Sequence, residues 1–422
     1  MKTDAIRALR HPNFRLFFSG QSISLIGTWM TRLATSWLVY RLTGSSLLLG
    51  VISFASQIPT FLLAPVAGVW VDRWVRRRVL LVTQFLAAVQ SLALAGLTLS
   101  GRITVTEIVL LSVFQGLINA FDMPARQSYL VHMVDGRTDL SNAIALNSTM
   151  VNGARLIGPA VAGIVIASYG EGYCFLIDGL SYFAVIASLL AITVEGQTLD
   201  RSTASMLGQF REGWAYVSGF APIRTVLVLF AIVSFMGVPY TVLLPVFATK
   251  VFHGGPHTLG FLTGAAGVGS LMAALGLAIR KSVRGLYKLI PTVAAVFGCG
   301  LIAFSFSRNY WLSLALMSVT GFGMMQFAAA SNTVIQTIVE EDKRGRVMSY
   351  YTMAYMGASP FGSLLAGGLA PVVGAPGAVL VCGVGCLAGA AWFWFQLPKL
   401  RPVIRPIYER LGIIPVVAGG EN

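Results

Sequence analysis

Long, nearly uncharged apolar stretches recur along the whole of this chain, each about the length that crosses a lipid bilayer. A helix needs about 20 mostly apolar residues to do so. Twelve such stretches can be read, near residues 14–40, 47–71, 78–99, 103–124, 143–168, 172–193, 222–248, 257–280, 287–306, 309–331, 347–370 and 374–397. In hydrocarbon every backbone N–H and C=O must be satisfied within the protein, which leaves helices as the solution for segments of this length. The expected class is an all-α membrane protein of twelve transmembrane helices. Composition agrees: 11% of the 422 residues are charged and 56% hydrophobic, against roughly a quarter charged in a soluble domain.

A formal charge of +14 invites a nucleic-acid reading, but the basic residues are scattered between apolar spans rather than gathered on one polar face. Their placement instead orients the chain. With the N-terminus inside, the cytoplasmic segments hold 24 of the 30 Lys and Arg, and the outer loops only Arg41, Arg102, Lys250 and Arg308. Lys and Arg accumulate on the cytoplasmic side of membrane proteins, so both termini are expected in the cytoplasm and the protein in the cell membrane as a multi-pass chain.

The longest polar stretch, around Glu195 to Pro222, leaves six spans on each side. The expected organisation is a six-helix bundle over 1–194, a cytoplasmic linker over 195–221, a second six-helix bundle over 222–398, and a basic cytoplasmic tail over 399–422. Within the linker, Phe210, Trp214 and Val217 recur at helical spacing with Arg211 and Glu212 between them, the pattern of a short amphipathic helix at the membrane surface. The halves echo each other, since basic loops follow both span two (Arg73 to Arg78) and span eight (Arg280 to Lys288). A six-plus-six duplication is a known transporter layout with its site at the repeat interface.

The loop after span two reads Gly68-Val-Trp-Val-Asp72-Arg73-Trp-Val-Arg76-Arg77-Arg-Val-Leu80. It resembles the loop signature of the major facilitator superfamily, with Val75 where that family usually has Gly. The run Ala120-Phe-Asp122-Met-Pro124-Ala125-Arg126-Gln127, with Asn142, Asn147, Arg155, Gly158 and Pro159 downstream, is similar to the transmembrane secretion effector branch, which includes enterobactin and macrolide exporters. In the second half, Asn332, Gln336, Arg344-Gly345-Arg346 and Pro360 resemble the same branch. The resemblance implies export of siderophores, macrolides or other hydrophobic compounds by alternating access, usually as proton antiport. No cofactor is expected, the proton gradient being the energy source. The expected partners are membrane lipid and a small-molecule substrate acting on a monomer, with no nucleic acid. A lipid flippase on the same scaffold is the alternative reading.

Physically, the loop can act as a gate. An anion at a helix N-terminus gains about 0.3–1 kcal/mol when exposed and up to ~2 kcal/mol when partly buried. The resemblance implies that Asp72 docks at the start of span eleven in the outward-facing state. Gly68, Arg73, Arg76 and Arg126 would join it from one half, and Arg344, Gly345 and Arg346 from the other. Loop arginines also have a simpler role as anchors on the cytoplasmic side.

Charges inside spans cost at least about 2.5–3.5 kcal/mol at mid-membrane, so each points to function or to a buried pair. Asp122 and Asp178 are the candidate proton carriers. The competing reading is a static pair, Asp122 with Arg126 or Asp178 with Arg155. Arg32 is expected in the cavity, against anionic or polar substrate groups. In the superfamily the cavity is lined chiefly by spans one, four, seven and ten, which implies Gln21, Trp29, Gln115, Asn119, Tyr240, Gln326 and Asn332 as further lining residues. The Gly runs at 264–269, 357–368 and 383–389 lack a following Gly-Lys-Ser/Thr, so they suit close helix contact rather than a phosphate cradle. Neither catalytic residues nor a metal site is expected. His253 and His257 read as turn residues, and the four cysteines as small packing residues.

Overall fold

The computed structural model describes residues 6–134, 136–193, 206–280 and 283–413. The described chain is helical throughout. The first half comprises α1 (Pro12–Thr43), α2 (Ser46–Arg73), α3 (Arg76–Leu99), α4 (Val105–Leu130), α5 (Arg137–Tyr169) and α6 (Glu171–Ala191). The second comprises α8 (Ala221–Met236), α9 (Tyr240–Val246), α10 (Pro256–Ile279), α11 (Leu286–Phe306), α12 (Tyr310–Ile338) and α13 (Arg344–Arg410), with α7 (Met206–Gly219) joining the halves.

Local chemistry marks several of the helix ends. Ser45 caps α2 by accepting from Leu48 N–H, Thr104 and Glu107 form a reciprocal capping box on α4, and Asn309 caps α12. Such caps satisfy N–H groups that have no partner within the helix. Gly44 ends α1 in the left-handed conformation at φ 61°, which only glycine adopts without strain.

Ten described helices are long and apolar enough to cross a membrane by length and composition. The 32-residue α1 is not among them, since it carries Arg15, Arg32 and Arg41. The 67-residue α13 counts once, although Gly374 interrupts it with φ 77° and ψ 159°. Before that break Tyr351 stacks on Phe230, and Gly362 packs on Phe235. After it Gly385 meets Met236 and Gly389 meets Ile232 and Leu229. The two arms therefore run in opposite directions along α8, and α13 is a hairpin folded at Gly374.

Within the first half α1 packs on α5 and α6, α2 on α4, and α3 on α4 and α6; within the second α10 packs on α12, α11 on α12 and α13, and α8 on α13. The two largest cross-contacts join α2 with α13 and α5 with α10, and smaller ones join α1 and α2 to α9 and α1 to α10. The two largest use glycine to bring backbones together, as expected where helices associate by close packing rather than by the hydrophobic effect. Gly50 lies against the Ser363 backbone and Gly367 against Ser46, while Gly163 and Gly260 face each other across α5 and α10.

These contacts lie toward one end of the seam. Ser46 Oγ donates to Gly367 O at 3.1 Å, Ser53 Oγ to Ser363 Oγ at 3.0 Å, and the Phe61 ring reaches Gly357. Toward the opposite end, a Cβ added at Gly68 of α2, Gly153 of α5 or Gly276 of α10 would meet nothing within 4 Å. Among the described residues, the glycine contacts between the halves are thus absent toward the end where α2 and α10 finish and α5 and α13 begin.

Within the linker, α7 is helical, and it packs against the start of α13. Gly213 lies on the Tyr350 ring, the Trp214 and Tyr350 rings are 5.9 Å apart, Glu212 pairs with Arg346 at 2.7 Å, and Lys343 sits over Tyr216. The rest of the linker lies outside the described residues. All four cysteines are free thiols, three of them buried.

Candidate functional site

At mid-length of α1 and α5 two guanidinium groups share one indole ring. Arg32 Cζ lies 4.9 Å from the Trp29 ring centroid and Arg155 Cζ 5.1 Å from it. Gly158, one helical turn beyond Arg155, lies so close to Trp29 that an added Cβ would collide with the tryptophan Cβ. That close approach places the α5 arginine on the α1 ring. Arg32 is solvent-exposed and Arg155 half-buried, although both are remote from their helix ends. An exposed arginine at that depth lines a space rather than a packed core. Among the described residues neither forms an ion pair, and Arg155 Nε is buried without a hydrogen-bond partner. Tyr355, Tyr182 and Asp178 lie within electrostatic range of Arg32.

The two candidate acids have different surroundings. Asp122, buried in α4, pairs with Arg126 one turn on, and its Oδ1 also accepts from Thr83 Oγ1 at 2.9 Å and Gln84 Nε2 at 2.7 Å. The static-pair reading of Asp122 thus describes the contact formed here, with both carboxylate oxygens occupied. Asp178, buried in α6, accepts from Ser91 Oγ at 2.8 Å through Oδ2. Its Oδ1 points at α1 beside Gly27, with the Thr28 and Thr31 hydroxyls near the carboxylate but neither in good hydrogen-bond geometry with Oδ1. Arg155 lies over Trp29, and no ion pair joins it to Asp178.

The carboxylate partners Thr83, Gln84 and Ser91 escaped sequence reasoning. With Gln90 they stand at i, i+1, i+7 and i+8 in an otherwise apolar span, and that spacing marks one buried polar face of α3. Arg155, read in sequence as a family marker and as a partner for Asp178, lies with Arg32 on the Trp29 ring.

The other cavity candidates are distributed unevenly. Gln115 Nε2 donates to Asn119 Oδ1 at 3.1 Å along α4, leaving Gln115 Oε1 buried and unpaired. Tyr240 is buried against Phe297, Gln326 is buried with Oε1 unpaired, and Gln21 is buried in α1. Asn332 accepts from Gln336 at 2.6 Å. The gate candidates make local contacts. Arg76 bonds His132 at 3.0 Å, Arg126 holds Asp122, Arg346 holds Glu212, Arg344 approaches Glu341, and Arg73 forms no ion pair among the described residues, while Gly68 and Gly345 lie in α2 and α13. Asp72 lies in the last turn of α2, and its side chain lies outside the described residues.

A polar cluster at mid-length of membrane-length helices, in a chain built of two packed helical halves, suits a membrane carrier. The protein-family model of the transmembrane secretion effectors matches residues 3–404, nearly the whole chain. The chain belongs to this family. It is therefore a transporter of the major facilitator superfamily, a multi-pass protein of the bacterial cell membrane and not an enzyme. It is 27% identical over 391 residues to a staphyloferrin A transporter of Staphylococcus aureus, covering 92% of this chain and 97% of that one. It is 28% identical over 384 residues to the multidrug efflux pump Tap of Mycolicibacterium fortuitum, covering 89% and 93%. The fold matches a bacterial homologue of the human lysosomal transporter Spinster, crystallised inward-facing and unoccupied, with a TM-score of 0.69 over 92% of this chain and 96% of that one. That structure shares 13% of its sequence with this secretion effector, so the likeness concerns the fold.

Proposed function

We propose that this secretion effector is a monomeric, proton-coupled exporter of small molecules that works by alternating access. The observation that carries the reading is the seam, closed by glycine contacts at one end and without them at the other, with Arg32, Trp29 and Arg155 at mid-length of α1 and α5. The siderophore and multidrug transporters among its relatives support export of small organic compounds. The chain would cross the membrane twelve times with both ends in the cytoplasm. In support, α1 has 32 residues, about 48 Å of helix, and each arm of the α13 hairpin is itself long enough to span. Lys and Arg crowd the end without those contacts, so that end would face the cytoplasm and the described conformation would be inward-facing.

Asp178 is the better proton carrier of the two acids. Both oxygens of Asp122 are engaged, whereas Asp178 Oδ1 is free to take a proton. Closing the inner end would bring the Gly68–Arg76 loop against the start of α13. Asp72 would then dock there, and Arg346 would exchange Glu212 for the gate. A pump-deficient strain expressing the protein, loaded with a panel of anionic, neutral and cationic compounds, tests the proposal. Efflux that stops with an uncoupler and with Asp178→Asn is the expected result. Efflux indifferent to both would remove proton coupling, and no efflux of any compound would remove the exporter reading.

A further inference from the structure

We infer that the Arg32–Trp29–Arg155 cluster is a binding site for a small organic anion carrying at least two carboxylates. The inference rests on the exporter reading and names its cargo.

Three observations carry it. The first is the shared ring. Both guanidiniums stand about 5 Å from one indole centroid, so they are no further apart than those two distances together. A tryptophan face holds a guanidinium plane by cation–π attraction and leaves its N–H edge free to fork a carboxylate. The second is the missing ion pair. Asp178 lies within electrostatic range of Arg32 but bonds Ser91, neither arginine forms an ion pair among the described residues, and Arg155 Nε is buried and unpaired. Two like charges at this depth, each costly to hold there and repelling the other, are more fully compensated when an anion joins them. A neutral or cationic cargo would leave one carboxylate, Asp178, against two guanidiniums. The third is the setting. Half-buried Tyr355 lies within electrostatic range of Arg32 and packs at a tilt on the buried Phe230 ring. An aromatic side chain beside the arginines suits a carbon skeleton bearing the carboxylates better than an inorganic anion.

The test uses the full chain purified in detergent, with citrate as the probe at constant ionic strength and binding read from the concentration dependence of thermal stabilisation. Citrate is expected to stabilise the wild type, inorganic phosphate to do so far less, and tetraethylammonium not at all. Arg32→Gln and Arg155→Gln should each weaken citrate by about ten- to a hundredfold, the usual loss for a charge-assisted hydrogen bond. Arg155→Lys, which keeps the charge but not the fork, should fall between. Arg102→Gln, in an exposed loop, should match the wild type.

Equal stabilisation by citrate in wild type and Arg155→Gln would overturn the site, as would its absence in the wild type. Stronger binding of phosphate would overturn the carboxylate assignment. If citrate fails while the cell assay shows uncoupler-sensitive efflux of neutral or cationic compounds, the exporter reading stands and this inference falls. If citrate binds but no compound is moved, the reverse holds.

Discussion

Replacing Gly50 with alanine should force open the closed end of the seam. The added Cβ would lie 2.5 Å from the Ser363 carbonyl oxygen, about 0.9 Å short of the 3.4 Å at which ordinary contact begins. That oxygen belongs to the backbone of α13 and cannot swing aside as a side chain would, so the helices must separate. Gly367 lies against Gly50 itself and against Ser46 O, which leaves no slack on that side. A separation near 0.9 Å takes the Ser46–Gly367 and Ser53–Ser363 hydrogen bonds, now 3.1 and 3.0 Å, beyond bonding range. At about 1 kcal/mol each, the closed arrangement loses about 2 kcal/mol, a population shift of roughly thirtyfold. Spin labels at exposed Leu42 and Val372, in a Cys299→Ser background, would report the gap at that end by pulsed electron resonance. The expected result is a longer distance population absent from the wild type. Gly96→Ala, whose Cβ would meet nothing within 4 Å, should leave the distances unchanged. An unaltered distribution in a folded Gly50→Ala protein would refute this account of what closes the seam.

Other substitutions separate structural from functional charge. Asp122→Ala strands Arg126 and should lower stability by about 3 kcal/mol, as breaking a buried pair does, seen as a drop in the detergent melting temperature. Asp178→Asn should melt near the wild type yet abolish proton-driven efflux, and a wild-type proton dependence would reassign the carrier. Gly374→Val places a branched residue in a conformation essentially reserved for glycine and should cost about 1–3 kcal/mol; an unchanged melting temperature would mean that the α13 hairpin does not depend on this turn. If the cargo is a dicarboxylate, export is electrogenic. An inside-negative potential of 100 mV should then contribute about 4.6 kcal/mol through the dianion and about 2.3 kcal/mol more for each proton that enters, measurable in proteoliposomes under a potassium diffusion potential.

Much of this protein could be read in one dimension. Hydropathy over windows of about 20 residues depends only on neighbours in sequence, and so does the placement of Lys and Arg between spans. The apolar helices, the linker helix around Trp214 and the family resemblance carried by the Gly68–Leu80 loop were therefore legible before any coordinates. Arg32 and Trp29 stood out because a charge or an indole in an apolar span is conspicuous in itself. What sequence could not supply was rotation and register between helices. Whether Arg155 turns toward Asp178 or toward Trp29 depends on the close approach of Gly158 to α1. Whether Asp122 or Asp178 keeps an empty oxygen depends on which α3 side chains reach each acid, and whether Gly50 meets Ser363 depends on how the two halves tilt. Those outcomes follow from packing between helices distant in sequence, so only the tertiary structure decided them.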